Sequence, residues 1–359
     1  MKPANQMLII QDKKIGHDYP TYFIADIAAN HDGDIERAKD LIYLAAESGA
    51  DAAKFQHFHA ETIVSDLGFK TMGTQQSHQA NWKKSVFQVY KEASVSMSWT
   101  ETLKETCEKA GIVFFTSPYS LSIVEEIDPY VPVYKIGSGD ITWIEMIEHI
   151  ASKQKPYIIA SGASTIDDVF RAVSAGLEIN PMLCLMQCNT NYTASLENFK
   201  FINLNVLKLY RQIFPSLVLG LSDHTPGLST VLGAISLGAR MVEKHFTDDK
   251  KRNGPDHKFS MDPLSWRDMV NRARELENAL GCEIKQVENN EKETVVIQRR
   301  AIRAALNIKK GTILNRKHFN FLRPCPVEAL PPYCADKLIG KKINRNISME
   351  EYFRWTDVE

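Results

Sequence analysis

The sequence has few cysteines, almost no net charge and no long apolar run near its start. Its six cysteines, Cys107, Cys184, Cys188, Cys282, Cys325 and Cys334, are scattered among 359 residues, and none belongs to a C-x-x-C pair. A reduced, cytoplasmic setting is the simplest interpretation of this cysteine usage.

The charge and hydropathy patterns exclude further classes of protein. The formal net charge is -1, so global charge gives no reason to expect a nucleic acid or a membrane surface as partner. The longest apolar run near the start, residues 7–10, is too short for a signal peptide or a membrane span. We therefore expect neither nucleic-acid binding nor membrane association.

The first two-thirds of the chain alternates short apolar runs with segments of helical spacing. The runs are apolar throughout rather than alternating, which is typical of strands that a parallel sheet buries on both faces. Eight such runs are present, at residues 22–30, 51–56, 112–118, 133–138, 157–162, 182–188, 217–223 and 241–246.

Eight strand–helix units are most economically closed into a (β/α)8 TIM barrel, which is the fold class we predict. The alternative is an open doubly wound sheet, but no G-x-G-x-x-G follows the first strand, which weakens its dinucleotide-binding form. We assign the barrel to residues 1–285 and a small β-rich domain to residues 290–359.

Several segments fall outside the strand–helix repeat. The opening residues 7–20 predict a hairpin that closes the barrel floor, and residues 266–281 predict the eighth helix. The long connection at 57–99 predicts a lid or a substrate wall that contains a helix over residues 81–93. The polar stretch 282–295 is interpreted as a linker.

Polar side chains gather at the predicted carboxyl ends of the strands, where barrel enzymes carry out their chemistry. Core packing does not require a polar group at the end of nearly every strand, so the convergence indicates a functional site. The residues concerned are Asp26, Asn30, His31, Lys54, Gln56, Lys135, Ser138, Asp140, Ser161, Gln187, Asn189, Tyr192, Asp223, His224, Glu243, Lys244 and His245.

His224 and His245 end neighbouring strands, which lie roughly 5 Å apart in a sheet. Their imidazoles could therefore meet over the barrel mouth and bind one divalent metal ion. Two histidines without a thiolate suit Mn²⁺, Co²⁺ or Zn²⁺. The alternative is that either histidine forms hydrogen bonds or transfers protons without a metal.

Lys54 and Lys135 end apolar strands, where an unpaired ammonium group would be costly to bury. Each needs an anion, either the carboxylate of Asp26 or Asp140 or a ligand phosphate or carboxylate. A Schiff-base role, as in barrel aldolases, is a third interpretation. A Gly-Pro turn after the eighth strand presents Asp256 to the same mouth.

The motifs "IADIAANHDGD", "AAKFQ", "YKIGSGDI", "GLSDHTPG", "VEKHFT" and "GPDHKFSMDP" resemble, in order, those of the sialic acid (N-acetylneuraminate) synthase family. The tail "NIKKGTILNRKHFNFLRP" resembles its antifreeze-like SAF domain, a β-clip fold. The resemblance implies a transferase that condenses phosphoenolpyruvate with an N-acyl amino-hexose, typically N-acetylmannosamine, to a nine-carbon 2-keto acid and phosphate. It also implies a domain-swapped homodimer in which each SAF domain caps the partner's barrel.

The resemblance also implies a role for each matching residue. His224 and His245 match the metal ligands, with Mn²⁺ expected and Mg²⁺ or Co²⁺ as alternatives. Asp26 and Asp140 would orient water or move protons. Further positions match substrate-binding residues: Lys54, Lys135, Ser138 and Ser161 for phosphoenolpyruvate, Gln56, Tyr192 and Asp256 for the sugar, and Arg323 of the SAF domain for the sugar N-acyl group. Glu243 is a further expected substrate-binding residue.

Two departures from the family pattern leave alternatives open. Asp26 and Asp140 stand where glutamate is usual, which withdraws each carboxylate by one methylene, about 1.5 Å. The stretch "CNTNYTAS" at 188–195 is unusual beside Tyr192. A legionaminate or pseudaminate synthase acting on a diacetamido-dideoxyhexose is therefore an alternative. A catalytically silent sugar- or phosphate-binding homologue is another.

Overall fold

The computed structural model describes residues 7–72, 79 and 82–359, which we refer to as the described residues. The chain divides into two compact units, with the boundary between Gly281 and Cys282. Each unit has its own apolar core. Among the described residues, none of the helices is long and apolar enough to span a membrane.

The first unit begins with the predicted hairpin, formed by the antiparallel strands β1 (Met7–Ile10) and β2 (Lys13–Gly16). The ammonium group of Lys13 lies 2.6 Å from the carboxylate of Asp51. Asp51 immediately precedes a barrel strand and accepts a hydrogen bond from the backbone N–H of Phe23 at 2.8 Å. The hairpin therefore packs at the amino-terminal ends of the strands, the end opposite to the predicted site.

Eight parallel strands follow and form a closed barrel, so the predicted (β/α)8 class is confirmed and the open sheet is excluded. Every residue of these strands is buried except one, Gln56, because helices cover the outside and side chains fill the inside. The strands are β3 (Tyr22–Asp26), β4 (Ala52–His57), β5 (Val113–Pro118), β6 (Tyr134–Ile136), β7 (Tyr157–Ala160), β8 (Leu183–Cys188), β9 (Val218–Asp223) and β10 (Met241–His245).

Six helices in the described part of this unit begin at a polar residue whose side chain accepts a backbone hydrogen bond. Thr165 caps one of them through a reciprocal bond with Asp168, and Asp262 caps the last with Pro263 in its first turn. The helices in the described part of this unit are α1 (Ile35–Glu47), α2 (Ala60–Ile63), α3 (Asp66–Thr71), α4 (Val86–Ala93), α5 (Thr100–Ala110), α6 (Leu121–Ile127), α7 (Ile144–Ser152), α8 (Ile166–Ile179), α9 (Val206–Ile213), α10 (Ser229–Ser236) and α11 (Pro263–Leu280).

The long connection after β4 contains α2, α3 and α4, but the helix predicted over 81–93 is shorter than expected. Asn81 lies outside the described residues, and α4 begins at Val86. Ser85 sets this start, because its hydroxyl accepts a hydrogen bond from the backbone N–H of Gln88 at 3.2 Å. The prediction placed the helix start too early because it missed this cap.

The second unit contains more helix than predicted. The stretch interpreted as a linker includes a 3-10 turn at Asn289–Glu291 and the start of α12 (Lys292–Gln298). The antiparallel strands β11 (Ala301–Ala304) and β12 (Phe319–Leu322) and the short helix α13 (Ala335–Leu338) follow. Isolated bridges join the remaining extended segments around a small core, which supports the β-rich class.

Candidate active site

The register of three neighbouring strands aligns the polar residues at the barrel mouth. His245 on β10 pairs with Asp26 on β3, which in turn pairs with Lys54 on β4. Side chains at one level of adjacent parallel strands point the same way. An imidazole, a carboxylate and an ammonium group therefore stand side by side at the carboxyl end.

Four buried charges form a chain across the inside of the barrel. The ammonium nitrogen of Lys54 lies 2.6 Å from Asp26 Oδ2 and 3.6 Å from Glu243 Oε2. Lys135 donates to Glu243 Oε1 at 3.1 Å. Of the two carboxylates considered as internal partners for the lysines, Asp26 pairs with Lys54. The partner of Lys135 is Glu243, not Asp140.

The pKa values of the two carboxylates differ because their neighbours differ. Burial opposes the ionisation of Glu243, but Lys135 and Lys54 together lower its pKa to about 2. Burial raises the pKa of Asp26, although Lys54 opposes this effect. Each lysine therefore already has an internal counter-ion, and an entering anion would have to compete for both ammonium groups.

The predicted histidine pair lies at the same mouth. The ring centroids of His224 and His245 are 5.4 Å apart. Tyr192 packs edge-on against His224 at 4.3 Å, and Phe259 packs against His245 at 4.8 Å. The two imidazoles therefore lie close together, with their ring planes tilted by 49°, and the aromatic rings of Tyr192 and Phe259 pack against them.

Both imidazoles are neutral and keep nitrogen lone pairs. Burial lowers the pKa of each ring to about 3, helped by the neighbouring imidazole for His224 and by Lys54 for His245. His224 Nδ1 lies 3.0 Å from the carbonyl oxygen of Asn189, so Nδ1 carries the proton and Nε2 keeps its lone pair. His245 Nδ1 is buried without a hydrogen-bond partner.

These observations fit a divalent metal ion held by two protein nitrogens. Neutral imidazole is the form that metals bind, and a buried nitrogen without a partner is otherwise costly. Within the part of the chain that the structure describes, no group of three or more His, Cys, Asp or Glu side chains is placed to hold a metal ion. A metal here would take its remaining ligands from water or substrate.

Two further predicted residues lie beside the imidazoles. Gln56 donates to Asp26 Oδ2 at 3.2 Å, and Asp256 Oδ2 accepts from the backbone N–H of Ala29 at 3.2 Å. The same Asp256 oxygen lies 3.8 Å from His245 Nδ1. Burial raises the pKa of Asp256 to about 7. The hydrogen bond between Ala29 and Asp256 thus joins the loop after β3 to the loop after β10.

Ser138 and Asp140 lie on a 3-10 turn directly after β6. Ser138 Oγ accepts a hydrogen bond from the backbone N–H of Gly162 at 3.0 Å, and the Ser138 hydroxyl also makes a hydrogen bond with the thiol of Cys188. A Cβ at position 162 would lie 2.8 Å from Ser138 Oγ, which explains glycine there. Burial raises the pKa of Asp140 to about 6.

The hydroxyl group of Ser161 is already engaged inside the protein. It donates to the carbonyl oxygen of Met186 at 2.9 Å and accepts from the Tyr210 hydroxyl at 2.9 Å. A hydroxyl has one proton. In this arrangement the hydroxyl of Ser161 has no proton left to donate to a phosphate or carboxylate. Ser161 could bind phosphoenolpyruvate, as predicted, only if its hydrogen bond to the carbonyl oxygen of Met186 were broken.

A cavity of about 160 Å³ opens beside the imidazole of His245. It brings together Gln56, Tyr192, His245 and Asp256, and part of its wall comes from the connection after β4, as the sequence predicts for 57–99. The other residues that line it are Ala29, Phe58, Ile63, Trp82, Val89, Tyr90, Ala93, Tyr119 and Pro255.

The sequence analysis missed several residues near this cavity. One residue that it did select, Arg323, lies in the second unit of the chain. The individual aromatic residues Phe58, Tyr90 and Phe259 were not selected, although the aromatic content of 57–99 was a signal for the first two. The bond from Tyr210 to Ser161 has no sequence signal, because α9 reaches the strand end only through the fold. Arg323 lies exposed in the second unit, directly after β12.

The fold and the site together define a barrel protein whose open end holds two neutral imidazoles, two ion-paired lysines and a cavity that His245 lines. The chain belongs to the NeuB family, whose model matches residues 41–285, and a SAF domain model matches residues 299–359. The resemblance inferred from the motifs is therefore confirmed.

Relatives of this chain include synthases of several nonulosonic acids. N,N'-diacetyllegionaminic acid synthase of Legionella pneumophila is 32% identical over 353 residues, which is 97% of this chain and 97% of that protein. N-acetylneuraminate-9-phosphate synthase of Homo sapiens is 31% identical over 330 residues, 92% of this chain and 90% of that protein.

A solved structure shows the same architecture. The N-acetylneuraminic acid synthetase of Leptospira borgpetersenii, in complex with citrate, superimposes with a TM-score of 0.70 at 26% identity. The match covers 81% of this chain and 95% of that one.

Proposed function

We propose that this protein condenses phosphoenolpyruvate with an N-acyl amino-hexose to give a nine-carbon 2-keto acid and phosphate. The observation that carries the proposal is the placing of Lys54 and Lys135 at the same barrel mouth as two neutral imidazoles. A polyanionic enol phosphate suits the lysines, and an aldehyde suits a Lewis-acid site. Relatives named as nonulosonic acid synthases support it.

In this proposal His224 and His245 hold a divalent cation, with Mn²⁺ favoured over Mg²⁺ or Co²⁺. Such a cation would supply Lewis acidity toward the carbonyl oxygen of the open-chain sugar. The protein contributes two rings that stay neutral at pH 7 because burial lowers the pKa of each to about 3. Neutral rings need lose no proton before they bind a cation.

Lys54 and Lys135 would bind the phosphate and carboxylate of phosphoenolpyruvate by sharing the ammonium groups that now contact Asp26 and Glu243. Ser138 would add a hydrogen bond by turning its hydroxyl proton from the Cys188 thiol to the ligand. On the sugar side we assign Gln56, Tyr192 and Asp256, which line the cavity beside His245.

Carboxylates of the site could also accept the proton that the reaction releases from water. Attack of C3 of phosphoenolpyruvate on the sugar carbonyl carbon forms the new C–C bond and leaves positive charge at C2. The alkoxide formed on the sugar takes up a proton. Water adds to C2 and loses one proton, and its second proton leaves as C2=O forms and the C–O bond to phosphate breaks with its electrons leaving on phosphate. We assign Asp140 or Asp26 as the carboxylate that accepts the water proton.

We also propose that the protein works as a homodimer in which the SAF domain of one protomer covers the barrel of the other. Arg323 would then contact the N-acyl group of the sugar in the partner's site. The support for this arrangement is family membership together with the exposure of Arg323 in its own unit.

The test is phosphate release, measured with each substrate alone and with both together. We expect release only with both substrates and Mn²⁺, complete loss with a chelator and recovery when Mn²⁺ is restored. His245→Ala should release phosphate at less than about 1% of the wild-type rate and bind Mn²⁺ more weakly by titration.

His149→Ala is the matched control, because His149 lies on the outer helix α7 and contacts Glu125 rather than the mouth. It should retain wild-type rate and Mn²⁺ affinity. Full turnover by His245→Ala, or turnover that a chelator leaves unchanged, would contradict the assigned metal site.

A further inference from the structure

We infer that the acceptor sugar is uncharged at the end that enters the cavity and carries acetamido or deoxy groups there rather than a phosphate. The inference deepens the proposed function and rests on it. None of the described residues lining the cavity is Lys or Arg. The residues of the connection that the structure does not describe, 73–78, 80 and 81, also include neither residue type.

Asp256 is the one acidic side chain, and His245 the one imidazole, among the described residues that line the cavity. Asp256 lines it, and the pKa of Tyr90 on its wall is raised by burial and then by Asp256 and Asp140. Lys84, two residues after Trp82, is paired with Glu92 at 2.6 Å. A phosphate dianion in the cavity would lose its hydration and meet Asp256, without a Lys or Arg side chain from the described wall residues to compensate.

The far wall instead offers an apolar surface. Phe58 contacts Tyr90 with ring centroids 5.5 Å apart and Tyr119 at 5.8 Å, and Trp82 contacts Tyr90 at 6.5 Å. Ile63, Val89 and Ala93 also line the cavity and add apolar surface to it. Aromatic rings of this kind pack well against methyl groups and ring C–H bonds. A deoxy carbon or an acetyl methyl group fits such a surface.

The first experiment compares three acceptors with phosphoenolpyruvate and Mn²⁺: a diacetamido-dideoxyhexose, N-acetylmannosamine and N-acetylmannosamine 6-phosphate. We expect kcat/KM for the 6-phosphate to be at least about 100-fold below that for the diacetamido sugar. Equal or better use of the 6-phosphate would overturn the inference and leave the proposed function standing. Phosphate release with none of the acceptors would overturn the proposed function itself.

The second experiment adds a cation to the wall. Val89→Arg places a guanidinium on the cavity face of α4, and Gln88→Arg adds the same charge to an exposed neighbouring position that does not line the cavity. Val89→Arg should improve kcat/KM for the 6-phosphate relative to the diacetamido sugar by about tenfold or more. Ala93→Lys is a second wall variant should Val89→Arg fail to fold.

Gln88→Arg should leave the ratio of the two kcat/KM values unchanged. A similar change of ratio in Gln88→Arg would show that general surface charge, not the wall, selects the acceptor. An unchanged ratio in both folded wall variants would equally overturn the inference.

Discussion

Asp140 is a carboxyl group whose pKa lies within the pH range of most enzyme assays. It lies half-buried on the turn after β6, and burial raises its pKa to about 6. At neutral pH the group is mostly ionised and can accept a proton. As pH falls through about 6 the group becomes protonated, and this capacity is lost.

We therefore predict that kcat/KM for phosphate release falls below about pH 6, by about tenfold per pH unit at the limit. Asp140→Asn should lower the plateau and remove this part of the profile. Asp256, whose pKa burial raises to about 7, remains in that variant and serves as an internal comparison. A profile that is unchanged in shape by Asp140→Asn would assign the proton to another group.

Individual residues also show where sequence reasoning stops. Polarity at a strand end is a local signal, so Lys54, Lys135 and His245 could be selected from the sequence. Pairing across the barrel interior is not local. Glu243 lies on β10 and reaches Lys135 on β6, because inward side chains of a closed barrel meet across its axis rather than along the chain.

At the scale of elements, an ion pair on the outer side of the barrel joins the ends of β9 and β10. Side chains alternate across each strand, so Asp223 and Lys244 point outward while His245 points to the mouth. The two groups form an ion pair of 2.5 Å, and each side chain is only 1% exposed. Lys244 also donates to the carbonyl oxygen of Thr225 at 2.7 Å, and Thr230 on α10 donates to Asp223 at 2.6 Å.

Each member of this buried pair is the neighbour in sequence of a predicted metal ligand, because Asp223 precedes His224 and Lys244 precedes His245. We predict that Lys244→Met leaves Asp223 as an uncompensated buried charge and costs about 3 kcal/mol or more of unfolding free energy. Displacement of the strand ends should also weaken Mn²⁺ binding by about 10- to 100-fold. Denaturant unfolding and Mn²⁺ titration measure the two effects separately.

The matched control is Lys155→Met, which removes a lysine from a half-exposed pair with Asp128. It should cost about 1 kcal/mol or less and leave Mn²⁺ affinity unchanged. The double variant Asp223→Asn/Lys244→Met should recover part of the lost stability, because no unpaired charge remains. Wild-type Mn²⁺ affinity in folded Lys244→Met would show that the pair stabilises the barrel without positioning the imidazoles.

Elements could be predicted from the sequence where they repeat. The apolar runs predicted all eight barrel strands, with ends shifted by a few residues, because a doubly buried strand must be apolar along its length. The start of α4 at Val86 and the helix α12 within the supposed linker were not predicted. Both depend on a single cap or on contacts within a small unit, not on a repeated pattern.

For the whole molecule, the proposed homodimer requires that Arg323 of one chain reach the barrel of the other. The SAF unit has its own core, so it can act as a separate cap, and Arg323 is exposed in it. If the cap comes from the partner, two different defective chains can together build one intact site. If the cap comes from the same chain, they cannot.

We predict that Arg323→Ala and His245→Ala are each nearly inactive as homodimers. The heterodimer, co-expressed with two affinity tags and purified through both, should recover about half of the wild-type rate of phosphate release, because one of its two sites then has every residue intact. In that site the barrel comes from the Arg323→Ala chain and the cap from the His245→Ala chain. A heterodimer no more active than its parents would mean that Arg323 serves its own barrel, since every site would then lack one of the two residues. Sedimentation that finds only monomer would contradict the shared site directly.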